Sequence, residues 1–217
     1  MRLSETCSIA STPWRREKRE IDTQWKTWEA HEMSFTFKKT LSVFTPSEAE
    51  QITGVALALQ RDWRRRAILP KRDGHARFDL HDLADMLTLK MCSDAGMSLD
   101  AAKAWIPFMP AGIIMHALRS PGAIEGDFGE FAYFHPDSWA MNIAASRSNM
   151  IAEGDLIIWP NGKSEIVSNV YEAISSAAPD KLYGAVKVLI LEEIGREFAR
   201  RAVRSLVHIE KRSSDTS

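Results

Sequence analysis

Seven cationic side chains crowd the interval from Arg61 to Arg77: Arg61, Arg64, Arg65, Arg66, Lys71, Arg72 and Arg77, opposed only by Asp62 and Asp73. Guanidinium and ammonium groups at this density do one kind of chemistry well, donating charge-assisted hydrogen bonds to phosphate oxygens. His75 lies within the same interval, and Gln60 stands at its head with the amide that suits an adenine edge. The next interval, Phe78 to Trp105, reverses the sign, with five aspartates against Lys90 and Lys103. A chain of 217 residues and formal charge −1 therefore carries one face suited to a polyanion and another that repels it. Other chemistries find less support. The six histidines include no pair at i, i+4, and Cys7 and Cys92 are far apart, so no metal site is expected. No nucleophile elbow or Gly-rich oxyanion loop accompanies Ser138 and Asp137 beside His135, so no enzyme, no catalytic residue and no cofactor is expected.

The elements that must position these cations are legible in order. Thr45, Pro46 and Glu48 form a capping box with proline at the first helical position, which starts a helix whose inner side carries Ala49, Ile52 and Val55. Gly54 suits the left-handed end of that helix and a sharp turn. A second helix follows, with Leu59 and Trp63 at i, i+4 facing the core and Gln60, Arg61, Arg64 and Arg65 on the remaining surface. Pro70 stops it, and Lys71 to Arg77 forms a basic turn around Gly74, a small hairpin or wing. Leu80, Leu83, Leu87 and Met91 mark a third helix closed near Gly96, and Ser98 caps a fourth that Pro107 ends. Helix, turn, basic helix, wing and helix in this order describe a winged helix-turn-helix.

Around that core the patterning is looser. Residues 1–43 mix charges and tryptophans without a sustained period and read as a flexible arm, with Met33 an alternative natural start. Beyond Pro110, a short helix is expected at Ile113 to Leu118, a loop at PGAIEGDFG and a strand at EFAYFHP. A hairpin is expected at DLIIWPNGKSEIV, turning at Asn161-Gly162 as a type I′ turn. A helix follows from Asn169 to Ala178, then a buried strand from Tyr183 to Ile190 and a last helix from Glu192 to Leu206. The fold class expected is α+β: a mainly helical winged helix-turn-helix domain over 44–107, a small α+β domain over 108–210 that dimerises or meets a partner, and a tail at 211–217.

The stretch from Phe44 to Trp105 resembles the DNA-binding domain of the MerR family of bacterial transcription regulators. Thr53-Gly54-Val55 stands at the family's turn, Arg61 at its arginine, Trp63 at its second aromatic, Arg65 at its later basic residue and Ile68-Leu69-Pro70 at its Gly-Leu-Leu-Pro exit. Phe78 stands four before Asp82-Leu83, and GMSLD at Gly96 to Asp100 is similar to the start of the family's fourth helix. The resemblance implies that Arg61 and Arg65 contact DNA backbone and that the wing residues Arg72, His75 and Arg77 reach a neighbouring phosphate or groove. Three departures stand out. Asp62 replaces an aromatic and would repel phosphate unless an arginine pairs with it; Arg77 directly precedes its aromatic; and no long heptad helix follows Trp105.

The function expected is thus a DNA-binding transcriptional regulator of bacterial or prophage type, contacting double-stranded DNA through Gln60, Arg61, Arg64, Arg65, Lys71, Arg72, His75 and Arg77. The alternatives are an excisionase-like or small-terminase-like architectural component, or a protein-interaction module that has lost DNA binding. The second domain is expected to form a homodimer or meet another partner; an effector is unspecified. Two cysteines, no apolar leader and no run approaching the ~20 apolar residues of a membrane span fit a cytoplasmic protein without membrane contact.

Overall fold

The computed structural model describes residues 35–69, 76–135, 139–147 and 151–213. Strand β1 (Phe35–Leu41) leads into helices α1 (Pro46–Thr53), α2 (Leu57–Arg65), α3 (Leu80–Asp94), α4 (Leu99–Lys103) and α5 (Met109–Leu118). Strand β2 (Ile124–Gly126) and helices α6 (Phe128–Phe134) and α7 (Trp139–Ala144) follow, with a 3₁₀ turn at Ala145–Arg147. The remainder comprises β3 (Asp155–Ile158), β4 (Ser164–Val167), α8 (Val170–Ser175), α9 (Pro179–Leu182), β5 (Lys187–Leu189), α10 (Leu191–Arg201) and β6 (Val207–Ser213). Phe37–Lys211 is one compact unit; of the other, Met1–Thr36 with Arg212–Ser217, the described residues are the ends of β1 and β6.

Helix α5 is the middle of the core. Nine of its ten residues are buried, His116 alone being half-exposed. A helix apolar on every side must be surrounded, and α5 packs against α3, α7 and α10. The boundary expected after residue 107 therefore falls inside a continuous core that runs from Phe44 through Ile113 to Phe198 and Ile209. The approach of α10 is closest at Gly195, where a Cβ would lie 2.6 Å from the Ile113 carbonyl oxygen and 2.7 Å from His116 Cβ. No side chain fits there without moving one helix off the other.

Two three-stranded sheets flank the helices, in the orders β1-β6-β2 and β4-β3-β5. In the first, β2 runs parallel to β6, with Ile124 opposite Val207 and Gly126 opposite Ile209. In the second, β3 is antiparallel to both neighbours, pairing Leu156 with Ile166 on one side and Leu189 on the other.

Several expected elements change. Strand β1 occupies the expected arm, and β6 runs from the end of the expected α+β domain into the first residues of the expected tail; each pairs with a sheet partner that local pattern cannot reveal. EFAYFHP lies largely in helix α6, because Phe128, Phe131 and Phe134 recur at three-residue spacing and meet Trp139 and Phe37, with the Phe128–Trp139 centroids 4.9 Å apart and the Phe131–Phe37 centroids 5.4 Å apart. Strand β2 lies in what was read as loop. The β3–β4 connection is a three-residue loop in place of the type I′ turn: Gly162 N–H donates to Trp159 O (2.9 Å), Trp159 N–H donates to Lys163 O (2.8 Å), and of the Asn161-Gly162 pair only Gly162 has positive φ (81°). Pro160, with its fixed φ, suits the first corner of such a type I turn with a glycine bulge. Strand β5 is shorter and less buried than expected, leaving Tyr183 exposed, and α10 ends at Arg201, before Leu206.

The Gly195 crossing is directly testable. Gly195→Ala should lower unfolding stability by about 1–3 kcal/mol through overpacking, read as a lower urea midpoint with unchanged slope; an unshifted midpoint would show that the two helices are not in backbone contact.

Candidate nucleic-acid interface

The helix-turn-helix is held together by main-chain hydrogen bonds that its own side chains complete. Thr45 Oγ1 accepts from Glu48 N–H (3.3 Å) while Glu48 Oε2 accepts from Thr45 N–H (2.7 Å), closing the expected capping box. Gly54 ends α1 at φ 70°, its N–H donating to Glu50 O. Thr53 Oγ1 donates to Ala49 O and accepts from Val55 N–H, bridging helix and turn. At the far end of α2, Ala67 sits at φ 54°, the position where the resembled pattern has glycine, and Ile68 N–H donates back to Trp63 O (2.8 Å). A Cβ in that conformation costs about 1–2 kcal/mol, which the buried Trp63 and Leu69 on either side offset.

Gln60 is not on the exposed face. It is wholly buried, and its Nε2 donates to Pro46 O (3.0 Å) and Val55 O (2.8 Å), stitching α2 to the start of α1 and to the turn. Both carbonyls would otherwise be left without that donor. Gln60 is therefore a strut of the turn, and the expected presentation of its amide to a base edge does not occur on this face. Leu59, expected in the core, is 38% exposed. The inward stripe runs through Gln60 and Trp63, at i and i+3, which turns Ala58 and Leu59 outward.

On the outer face, Arg61 and Arg65 stand one turn apart and are both exposed. Arg61 makes no ion pair among the described residues. Arg65 Nη2 lies 2.5 Å from Asp62 Oδ1, with its side chain 81% exposed, and Arg66 lies 3.6 Å from the other Asp62 oxygen. Asp62 thus has the cationic partners that its place among arginines requires. Arg64 is half-buried, its guanidinium 5.9 Å from the centre of the Phe78 ring. Phe78 is fixed in turn: Phe44 and Phe78 exchange both backbone hydrogen bonds, at 2.8 and 2.9 Å. Arg77 is exposed beside it, with Nη1 donating to Ala76 O. Lys71, Arg72 and His75 lie outside the described residues; of the rest of the expected set, Arg61, Arg64 and Arg65 share α2, and Arg77 directly precedes Phe78, whose ring Arg64 approaches.

Two arginines from later in the chain, which local pattern did not single out, hold the frame. Arg204 reaches the α1 capping box, with Nη1 3.0 Å from Glu48 Oε1, Nη2 donating to Val43 O (2.7 Å) and the guanidinium 4.8 Å over the Phe44 ring. The Thr45 N–H and hydroxyl, then Arg204, hold the Glu48 carboxyl below the usual carboxylate range. Arg147 does the same at α3, where Asp79 caps the helix and Asp82 completes a second box: Nη1 donates to Asp82 Oδ1 (2.9 Å) and Nη2 to Asp79 Oδ2. His81 Nε2 and Ser146 Oγ share a 2.8 Å hydrogen bond alongside. Beneath this group, burial and the neighbouring Asp82 push the Asp85 carboxyl up to about 7, against the pull of Arg147. Among the described residues no group of histidines, cysteines and carboxylates is arranged to hold a metal, and no helix is long and apolar enough to cross a membrane.

Residues 44–108 match the family model described as "MerR HTH family regulatory protein". That stretch is a MerR-like helix-turn-helix domain, and it ends where α5 begins. No curated protein matches the chain.

Two outcomes check this frame. Gln60→Leu should cost about 1–3 kcal/mol by removing the donor from the buried Val55 carbonyl and the part-buried Pro46 carbonyl, with circular dichroism melts as the measurement; a neutral result would mean that Gln60 is not the strut. Asp85 gives a pH signature. Its folded proton is held to about 7 while an ordinary aspartate releases it near 3.8, so its contribution to stability is intact below about pH 4, declines through the interval and is fully lost above about pH 7. Asp85→Asn should therefore raise the melting temperature at pH 8 and leave it nearly unchanged at pH 4; equal shifts at both would contradict the burial.

Proposed function

We propose that this chain is a DNA-binding transcriptional regulator of bacterial or prophage type, gripping duplex DNA with the outer face of α2 and with the wing segment 70–77. The observation that carries this reading is the pair Arg61 and Arg65, one turn apart and exposed on the second helix of a rigidly stitched helix-turn-helix. Long cationic donors in that place suit phosphate oxygens on the two sides of a groove, which orient a protein on DNA without reading sequence. Ala58 and Leu59, turned outward ahead of them, offer apolar contact to thymine methyl groups. With Gln60 committed to the turn, no amide on α2 is available for bidentate adenine recognition, and discrimination falls to shape, methyl contacts and the wing. The described Arg64 and Arg77, with Lys71, Arg72 and His75 between them in sequence, extend the cationic track from α2 toward the wing. This reading requires no catalysis and no cofactor.

Asp62 favours a second reading, a helix-turn-helix turned to protein contacts, because its bonds to Arg65 and Arg66 draw off part of the positive potential of α2. One experiment separates the two. Fluorescence anisotropy of the full chain with random-sequence duplex, across a salt series, should show steep salt dependence. Arg61→Ala should weaken binding to every sequence and flatten the slope by ~0.9 per phosphate contact removed. Absence of binding at low salt by the wild type would favour the protein-contact reading, and an unchanged slope in the variant would remove α2 as the grip.

A further inference from the structure

Between the C-terminal end of α5 and the outer face of α10 lies a cleft of about 470 Å³, well away in sequence from α2. His116, Arg119 and Ser120 line one side; Glu192, Arg196 and Arg200, at i, i+4 and i+8 on α10, line the other. Pro121 is the non-polar member of this lining. The volume is that of a small-molecule site, and six of its seven lining residues carry polar or charged groups that a ligand must satisfy.

Three guanidinium groups and one carboxylate line the cleft, with Glu193 and Glu197 standing behind two of the arginines. Two of the arginines are oriented by carboxylates of their own helix: Arg196 by Glu192 (2.6 Å) and Glu193 (2.8 Å), Arg200 through Nε and Nη2 by Glu197 (2.5 and 2.6 Å). That pairing reduces the side-chain freedom lost on binding, and a planar guanidinium so anchored still has donors to spare. Arg119 is different. It is exposed at the end of α5 and makes no ion pair among the described residues. A cation of this kind, facing two anchored ones across a concave wall, is arranged for a compact dianion. Arginine forks match phosphate oxygens in geometry as well as charge. The remaining groups select what the dianion is attached to: the Ser120 hydroxyl, the Glu192 carboxylate and an imidazole that burial, then Arg119, keep below its ordinary protonation range are donors and acceptors for hydroxyl groups. The Gly195 crossing beneath holds the two helices that carry the walls at backbone contact.

We propose that this cleft binds a small phosphorylated polyol of the sugar-phosphate class, its phosphate held by Arg119, Arg196 and Arg200 and its hydroxyls by His116, Ser120 and Glu192. The proposal is independent of the DNA reading, since it uses no residue of α2 or the wing.

Isothermal titration of the full chain with glucose 6-phosphate, ribose 5-phosphate and glycerol 3-phosphate tests it, beside glucose and inorganic phosphate. At least one phosphorylated polyol should bind saturably at one site, with inorganic phosphate about tenfold or more weaker and glucose showing no binding. Arg119→Ala and Arg200→Ala, both at exposed positions, should each weaken that binding by about tenfold or more, as loss of a charged hydrogen bond does. Arg61→Ala should leave it unchanged. Absence of binding by all three compounds, inorganic phosphate binding as tightly as any of them, or unchanged affinity in both cleft variants would overturn the proposal. If instead the cleft variants flatten the salt dependence of DNA binding while no sugar phosphate binds, the cleft is a DNA-backbone contact and the proposal falls.

Discussion

Helix α5 has no polar face to give to water, and that constraint organises the rest of the chain. It can be buried only if helices close on it from several sides, and α10 comes near enough because Gly195 has no side chain. Once α10 is seated, the chain beyond it is delivered to the start of α1, where Ser42 N–H donates to Leu206 O, Ser42 Oγ donates to Ser205 O, and Arg204 covers Phe44 and Glu48. The helix-turn-helix is consequently one side of a core that later residues complete. Among the described residues no long heptad helix follows Lys103, and α5 goes inward.

The same construction explains how a basic helix stays presentable. Most side chains of α2 could turn either way on composition alone. What fixes its rotation is the amide of Gln60, bonded to carbonyls of Pro46 and Val55, together with Trp63 in the core. With these two inward, Arg61 and Arg65 are outward as a geometric consequence. Asp62 moderates the cluster by pairing with arginines on its own helix, which lowers self-repulsion among neighbouring cations at the cost of some outward potential. Exposed pairs of this sort contribute little to stability, so their effect is mainly on the electrostatic surface.

At both capping boxes a distant arginine meets a carboxylate already engaged by a helix N-terminus. Arg204 does so at Glu48, Arg147 at Asp79 and Asp82. Each carboxylate thereby serves the helix start and a long-range contact together, so that the orientation of α1 and α3 depends on residues more than sixty positions away. Around α3 the arrangement concentrates three aspartates near one guanidinium, and Asp85, the one left without a share of Arg147's bonds, is the one that holds its proton.

What the sequence by itself determined is local. The capping box at Thr45 and Glu48, the glycine turn, the basic helix, the cap at Ser98, the helix start at Asn169 and the resemblance over Phe44 to Trp105 all rest on residues within a few positions of one another, where backbone sterics and short hydrogen bonds decide the outcome. What only the tertiary structure decided is every feature whose partner lies far along the chain. Strands β1 and β6 order against a sheet, the aromatic run around Phe131 takes its helical period from packing on Phe37 and Trp139, and Gln60 and Leu59 exchange their expected sides because the Gln60 amide bonds to the carbonyls of Pro46 and Val55. The exposed arginines could be named from spacing, but which of them remain outward, half-buried or paired depends on how α2 is rolled against the core, and that rotation is set by contacts no sequence window contains.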